Sequence, residues 1–234
     1  MRLIPKHLRE FPHVREWNWL IHWIMVDYLR EMAAEYAQGV LVDIGCGQKP
    51  YASIFAPHIK RHIGIDRADS PLGTEAIDIT GDAYSTTLED ESCDTILCSE
   101  VLEHLERPSE AIREMRRILK PGGHLVLTVP FFWHVHNPPR DFYRYTEHGL
   151  RYLFEEGGFE IVELRPLTGA SVTFTQLSVY ALGWIFSKNR FVRTMGRWSA
   201  WLLQYIGLQR HKRSRSYDFS NLYGLVARKP VDDE

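Results

Sequence analysis

The sequence has little cysteine, little net charge and no long apolar run, and each of these absences excludes a class of protein. Its three cysteines, Cys46, Cys93 and Cys98, form neither a metal-ligand spacing nor an even set of disulfide partners. Cys93 and Cys98 lie in an apolar run, so we expect buried thiols in a reducing, cytoplasmic compartment. The formal net charge of -2 predicts no overall attraction to nucleic acid. Residues 1–7 lack an apolar core of signal-peptide length.

A glycine pair directly after an apolar run is the most informative feature of the chain. Residues 41–48 read Leu-Val-Asp-Ile-Gly-Cys-Gly-Gln, which predicts a buried parallel strand that feeds a tight turn. Gly45 and Gly47 would let a ligand approach the backbone because they carry no Cβ atoms. A second strand-like run ends at Asp66, about 20 residues later, where a Rossmann-like fold presents a carboxylate to the hydroxyls of a ribose. The pair predicts a nucleoside-containing ligand.

The glycine pattern also argues against a dinucleotide site and excludes a P-loop. A dinucleotide site has a third glycine three residues after the second, but Pro50 occupies that position. No Gly-Lys-Ser/Thr follows, so the loop is not a P-loop. The remaining common occupant of this architecture is a nucleoside without phosphates, which indicates S-adenosylmethionine.

Strand-like and helical segments alternate along the 234 residues, which predicts a doubly wound, seven-stranded and mainly parallel α/β sheet. The predicted strands are Val40 to Ile44, a second ending at Asp66, Ala76 to Ile79, Thr95 to Ser99, His124 to Val129, Phe159 to Leu164 and Leu222 to Ala227. The predicted helices are His13 to Gln38, Tyr51 to Phe55, Ser109 to Leu119 and Thr146 to Glu156. We expect one domain over 1–234, with a cofactor-binding core at 39–165, a helical insert or lid at 171–208 and the last strand at 222–228.

Several motifs in this order resemble the class I S-adenosylmethionine-dependent methyltransferases, and the sequence is most similar to the methyltransferase type 11 family. The motifs are Val42-Asp43-Ile44-Gly45-Cys46-Gly47, Gly64-Ile65-Asp66, Gly81-Asp82-Ala83, the run from Cys93 to Leu105, and Arg117-Ile118-Leu119-Lys120-Pro121-Gly122-Gly123. The resemblance covers roughly residues 39 to 165. It implies that Gly45 and Gly47 pack against the methionine part of the cofactor, that Asp66 takes the ribose and that Asp82 approaches the adenine amino group.

The full predicted cofactor-binding set is Asp43, Gly45, Cys46, Gly47, Asp66, Arg67, Asp82, Ala83, Ser99 and Glu100. Several of these residues have a structural alternative. Asp43 could cap the turn through backbone N–H groups, and Asp66 could be a solvated acid at a strand end. Gly-Asp is also an ordinary turn dipeptide, and Asp78 competes with Asp82 for the adenine contact. His104, after the fourth strand, could be a base or a structural histidine.

Residues 130–146 are dense in groups that could recognise a polar acceptor. His134 and His136 are candidate bases, while Asp141 and Arg144 could position the acceptor. The alternative is a loop stiffened by two prolines, with Asp141 and Arg144 as an internal ion pair. No third ligand accompanies the two histidines, so no metal is predicted. The His-x-x-Pro-x-Asp-x-Tyr-Arg-Tyr-Thr pattern is similar to type 11-like methyltransferases encoded with bacterial cell-surface polysaccharide genes, which implies a sugar or glycan acceptor.

An apolar and aromatic region with only basic charges extends over 172–215. Neither of its apolar blocks reaches the roughly 18 uninterrupted residues of a membrane-spanning helix. Tryptophans and basic residues at helical spacing are typical of a helix on an anionic membrane surface, which would give peripheral contact at the inner face of the membrane. The alternative is a lid or a homodimer face whose apolar stripe packs on protein.

These features together predict a methyltransferase that moves the methyl group of S-adenosylmethionine to a small-molecule or glycan acceptor by in-line displacement. One alternative is a non-catalytic module that binds S-adenosylmethionine and regulates a partner. A nicotinamide-dependent oxidoreductase is disfavoured by Pro50.

Overall fold

The computed structural model describes residues 3–11, 14–185, 190–213 and 219–231. The chain divides into two compact units. One unit comprises 1–28 and 166–221, and the other comprises 29–165 and 222–234.

A seven-stranded sheet forms the centre of the second unit. Its strands are β1 Val40–Ile44, β2 Arg61–Asp66, β3 Ile79–Thr80, β4 Cys93–Ser99, β5 Leu119–Pro130, β6 Glu160–Pro166 and β7 Leu222–Arg228. They lie in the order β3-β2-β1-β4-β5-β7-β6. The pairs β1–β2, β1–β4, β2–β3 and β4–β5 are parallel, whereas β7 runs antiparallel to β5. The predicted Rossmann-like, doubly wound and mainly parallel sheet is confirmed.

Short helices connect these strands, and local signals account for their ends. The helices are α1 Trp19–Tyr36, α2 Ala52–Phe55, α3 Pro108–Ile118 and α4 Glu147–Glu156. Pro108 is the first residue of α3, a position at which a backbone N–H would have no acceptor within the helix, so its absence in proline costs nothing. Thr146 Oγ1 accepts the N–H of Gly149 at 3.1 Å, as expected of the predicted N-cap. The apolar face of α3, including Ile112 and Met115, is fully buried in the core beneath the sheet.

The predicted bounds of β5, β3 and the first helix differ from the structure by three residues or more, and those of several other elements differ by one or two. β5 begins at Leu119 rather than His124, because Leu119 already pairs with Cys93 across a register shift in β4. β3 is Ile79–Thr80 rather than Ala76 to Ile79, since only those two residues pair with the end of β2. The predicted start of the first helix, His13, lies outside the described residues, and α1 begins at Trp19. Before it, the Asn18 side chain accepts the Arg15 N–H at 2.6 Å and holds a turn.

The first unit is helical, with α5 Ala170–Ile185 and α6 Arg190–Arg213 as its long elements. Gln204 of α6 is fully buried. Its Oε1 accepts the Leu20 N–H at 3.1 Å, and its Nε2 donates to the Glu16 carbonyl at 2.8 Å. The predicted helical insert is therefore two helices, and the second continues five residues beyond Leu208. Within the described part of the chain, no helix combines the length and apolar character needed to cross a membrane.

Candidate active site

The sheet order places a crevice at the carboxyl ends of β1 and β4. The chain moves outward from β1 to β2 and β3, then returns to the other side of β1 with β4. Ligands of open α/β sheets bind at such a switch point. A cavity of about 400 Å³ opens there, within the size range of small-molecule sites. Six of the predicted cofactor residues line it, namely Gly45, Asp66, Arg67, Asp82, Ala83 and Glu100.

The two loop glycines have conformations and surroundings that exclude a side chain. Gly45 has φ +69° and Gly47 has φ +49°, in the left-handed region that glycine adopts at little cost. A Cβ on Gly45 would lie 2.5 Å from a methyl group of Val101, and one on Gly47 would lie 2.7 Å from Leu72. Val101 and Leu72 themselves line the cavity. Gly45 therefore forms part of the cavity wall with its backbone alone, and Gly47 leaves room for the Leu72 side chain, which also lines the cavity.

Asp66 links the end of β2 to the glycine loop. Its Oδ2 accepts the Gly47 N–H at 2.8 Å and the Ser70 hydroxyl at 3.1 Å. Its Oδ1 accepts the Arg67 N–H at 2.7 Å. A carboxylate has about four acceptor positions, so one is unused, and the rotatable Ser70 hydroxyl can release a second. Two positions would suit the two hydroxyls of a ribose.

Asp82 lines the cavity, whereas its competitor Asp78 is held elsewhere. Asp78 accepts the Gly64 N–H at 2.7 Å and forms an ion pair with Lys49. One oxygen of Asp82 accepts the N–H groups of Tyr84 and Ser85 at 2.8 and 2.9 Å. This turn leaves the second oxygen of Asp82 available for a ligand. The arrangement favours Asp82 over Asp78 for an adenine contact.

Three predicted cofactor residues lie behind the cavity wall. Asp43 is buried and its Oδ2 lies 3.1 Å from Nε2 of His62. Burial raises the pKa of Asp43, and the contact with His62 opposes that shift. Cys46 is buried, and this burial raises the pKa of its thiol to about 12. Ser99 Oγ lies 2.8 Å from the Thr128 hydroxyl. These contacts support structural roles that hold the strand ends.

Glu100 has a left-handed backbone, with φ 56°, and its carboxyl is directed into the protein. One carboxyl oxygen is buried and accepts no hydrogen bond from the described residues. Burial, reinforced by the nearby Glu103 carboxylate, raises the pKa of Glu100 well above its usual range. A cationic ligand in the cavity would favour the ionised form of this acid.

The loop after β5 is held together by Arg144. Its guanidinium donates to both oxygens of Asp141, at 2.6 and 2.8 Å, and to the carbonyl oxygens of Trp133, His134 and Tyr143. Asp141 also accepts the His136 N–H at 2.7 Å. The internal ion pair is therefore present, and it supports the structural alternative for Asp141 and Arg144.

The same loop brings two residues to the cavity that the sequence analysis did not select. Asn137 and Arg140 line it, together with His104, whereas His134, His136, Asp141 and Arg144 do not. Asn137 has φ 54°, a conformation that asparagine tolerates better than most residues. The turn-forming sequence Asn-Pro-Pro at 137–139 could have indicated that this part of the loop projects toward the cavity.

Comparisons with known proteins agree with this geometry. Residues 42–127 match a family model described as "Methyltransferase domain". The ubiquinone biosynthesis O-methyltransferase of Hahella chejuensis is 30% identical over 130 residues, which are 51% of this chain and 52% of that protein. The ubiquinone biosynthesis O-methyltransferase of Saccharophagus degradans is 27% identical over 143 residues, which are 56% of this chain and 58% of that protein. The chain thus spans about half the length of these curated relatives.

Solved structures show the same fold at low sequence identity. The [4+2]-cyclase SpnF has a TM-score of 0.61 and 21% identity, covering 88% of this chain and 81% of that one. Phosphoethanolamine N-methyltransferase 2 of Haemonchus contortus, in complex with S-adenosyl-L-methionine, has a TM-score of 0.58 and 19% identity, covering 92% and 56%. Identities of this size establish the fold alone.

Proposed function

We propose that this chain is a class I S-adenosylmethionine-dependent methyltransferase whose core resembles the type 11 family, and that it transfers a methyl group from S-adenosylmethionine to an acceptor oxygen. The observation that carries the proposal is the convergence of Gly45, Asp66, Asp82 and Glu100 on one cavity at the switch point. These residues fit the cofactor group by group. The bare glycine wall suits the methionine part, Asp66 suits the ribose and Asp82 suits the adenine amino group.

The cofactor would supply a methyl group already activated by its sulfonium. The acceptor oxygen would attack the methyl carbon in line, the carbon–sulfur bond would break with its electron pair going to the sulfur of the S-adenosylhomocysteine product, and the acceptor's proton would pass to solvent. The protein's contribution is to hold the acceptor in that line and to keep water away. The acids Asp66, Asp82 and Glu100 also favour binding of a cationic sulfonium at the cavity.

The proposed acceptor is a small molecule or a glycan with a free hydroxyl group. Curated relatives are named as O-methyltransferases, which favours oxygen as the acceptor atom. Asn137, Arg140 and His104 offer polar groups at the cavity wall, and these suit a hydroxylated acceptor. The His-Asn-Pro-Pro-Arg-Asp run at 136–141 supports the glycan branch of the proposal.

Calorimetric titration of ligand-stripped protein with S-adenosylmethionine, S-adenosylhomocysteine and NAD separately tests the cofactor. We expect micromolar binding of both sulfur nucleosides and none of NAD, because the loop has Pro50 where a dinucleotide site has glycine. A thermal unfolding transition in the same sample verifies that the protein is folded. Folded protein that binds neither sulfur nucleoside would contradict the proposal.

The second candidate is a binding module that holds S-adenosylmethionine without methyl transfer. One observation supports this second candidate. A structure of the same fold is named as a [4+2]-cyclase, so the fold alone does not establish methyl transfer. Substitutions of Asn137 and Arg140, which line the cavity, separate the two. An enzyme should lose transfer of labelled methyl to hydroxylated acceptors while it retains cofactor affinity, whereas a binding module would show no transfer to lose.

We also propose peripheral contact with an anionic membrane through α5 and α6. No charged residue occurs in α5, and its Trp184 is 82% exposed, while Trp198 of α6 is 58% exposed. The last turn of α6 is basic, which suits anionic headgroups.

Co-sedimentation with vesicles tests this contact. We expect binding to phosphatidylglycerol-containing vesicles, little binding to pure phosphatidylcholine, and at least about fivefold weaker binding of a Trp184→Ala/Trp198→Ala variant. Tyr152→Ala removes an equally exposed aromatic from α4 and should bind as the wild type does. Equal binding to both kinds of vesicle, together with undiminished binding of the double tryptophan variant, would contradict the proposal. A dimer that covers this face would appear in light scattering instead.

A further inference from the structure

Three metal-ligand side chains meet beside the cavity. Glu103 and His104 end a short 3-10 helix, Leu102–His104, and His136 lies in the loop after β5. One ligand atom from each of the three lies within 4.8 Å of the other two. Oε1 of Glu103 is 3.6 Å from Nε2 of His104 and 3.7 Å from Nε2 of His136. These distances are too long for hydrogen bonds, so the three groups face one another without being bonded.

The Glu103 carboxylate has no hydrogen-bond partner among the described residues, and its nearest basic groups are the imidazoles of His104 and His136. The residue is fully buried, including both carboxyl oxygens. An unpaired buried carboxylate is costly, so buried charges are ordinarily paired or bound to a metal. The backbone of Glu103 fixes it in place, since its carbonyl oxygen accepts the Phe142 N–H at 2.9 Å. A group that needs a cation is therefore held rigidly between two imidazoles.

The separations agree with a common coordination sphere. Zinc binds histidine nitrogen and carboxylate oxygen at about 2.0–2.2 Å, so two ligands of a tetrahedral ion lie roughly 3.4 Å apart. The two observed separations exceed that value by a few tenths of an ångström. The ligand atoms of the two histidines lie within 4.8 Å of one another, so rotation of the imidazoles toward each other would bring all three atoms onto one ion.

The outer nitrogens of both imidazoles have neighbours of the kind that orient metal-bound histidines. Nδ1 of His104 lies 2.5 Å from the carbonyl oxygen of Arg140, which accepts its proton and leaves Nε2 free. Nδ1 of His136 lies 3.5 Å from Oδ2 of Asp141. The guanidinium of Arg144 is 3.4 Å from the same nitrogen and is itself bonded to Asp141. A guanidinium can only donate, so in the contact with Arg144 the Nδ1 atom of His136 is the acceptor. Metal binding through Nε2 requires Nδ1 to carry the proton instead and to donate it to Asp141.

We propose that Glu103, His104 and His136 bind one divalent transition-metal ion, with zinc as the metal that best suits two imidazoles and one carboxylate. Three protein ligands leave at least one coordination position open. His104 also lines the cavity, so the ion would lie at its wall. In a further step, which rests on the proposed function, that position takes the acceptor oxygen, and the ion lowers the pKa of its hydroxyl group before methyl transfer.

Metal analysis of four proteins tests the site. Each is loaded with zinc, dialysed and measured by mass spectrometry, and its affinity is measured by calorimetry with zinc alone. We expect about one zinc per chain in the wild type and at least about tenfold weaker binding in Glu103→Gln and His136→Ala. His134→Ala, which removes an imidazole two residues away in the same loop, should bind zinc normally. No zinc in the folded wild type, or equal losses in His134→Ala and His136→Ala, would overturn the site, and so would undiminished zinc binding by Glu103→Gln.

The acceptor position has its own measurement. Protein loaded with cobalt instead of zinc is titrated with catechol, and the visible d–d bands are recorded. A shift in these bands shows that oxygen enters the coordination sphere, while an unchanged spectrum would overturn the acceptor step and leave the metal site standing. Calorimetry with S-adenosylmethionine on the same samples reports the proposed function separately. If the protein binds zinc but not S-adenosylmethionine, the proposed metal site stands and the proposed methyltransferase function is contradicted.

Discussion

Replacing Arg144 by alanine is expected to lower the free energy of unfolding by about 3–5 kcal/mol, the scale for breaking a buried ion pair from one side. The Asp141 side chain is 2% exposed, so the variant would leave its carboxylate buried without its cation. The carbonyl oxygens of Trp133, His134 and Tyr143 would lose a donor as well. Chemical denaturation monitored by circular dichroism measures the difference.

Two further variants show whether the geometry or the charge is responsible. Arg144→Lys should recover only part of the loss, because an ammonium cannot form the two parallel bonds to Asp141. Arg151→Ala is the matched control, since its bond to Glu155 is exposed and 3.5 Å long; we expect a loss of roughly 0.5 kcal/mol or less. A loss at Arg144 no larger than that at Arg151 would contradict the structural role.

The pH dependence gives an independent check on the same ion pair. Hydrogen bonds from Arg144 hold the pKa of Asp141 well below its usual range. A depressed carboxyl pKa stabilises the folded protein above the unfolded-state value of about 3.9, and this contribution is lost as the pH falls toward the folded-state pKa. The wild type and Arg144→Ala should therefore differ most near neutral pH and converge in acid.

The sequence was sufficient where a local signal determines the structure. β1 has the predicted bounds, Val40–Ile44, because an apolar run followed by two glycines leaves one strand-and-turn solution. The N-cap at Thr146 also follows from neighbouring residues. The spacing from the loop also placed Asp66 at the end of the second strand, as the structure does, but the hydrogen bond that it accepts from the Gly47 N–H was not predicted.

The sequence was insufficient where partners far apart in the chain decide a side chain's position. The Glu103 carbonyl oxygen accepts the Phe142 N–H and so holds the loop after β5 in place. No local sequence pattern predicts that hydrogen bond. It directs Asn137 and Arg140 to the cavity and His136 toward Glu103. The proposed metal site combines Glu103 and His104, which follow one strand, with His136 after another, and only the fold brings these residues together.

Replacing Asp66 by alanine is expected to weaken binding of S-adenosylmethionine by about 1.5–3 kcal/mol, the scale of hydrogen bonds to a charged group. This corresponds to a dissociation constant roughly 10- to 150-fold higher. The carboxylate has two acceptor positions that a ribose can use, and it also fixes the Gly47 N–H. Both losses act at the cavity, and calorimetry on ligand-stripped protein measures their sum.

Asp66→Asn separates the two contributions, because its amide oxygen can still accept the Gly47 N–H while the charge is absent. If the ribose contact dominates, the asparagine variant should bind nearly as weakly as the alanine variant; if the loop contact dominates, it should recover most of the affinity. Asp69→Ala removes a neighbouring acid of the same cavity, 68% exposed in its side chain, and should change the dissociation constant by less than about twofold, since exposed charges are screened. An equal effect at Asp66 and Asp69 would mean that the cavity attracts the sulfonium through its overall charge. An unchanged dissociation constant in Asp66→Ala would remove Asp66 from the ribose site.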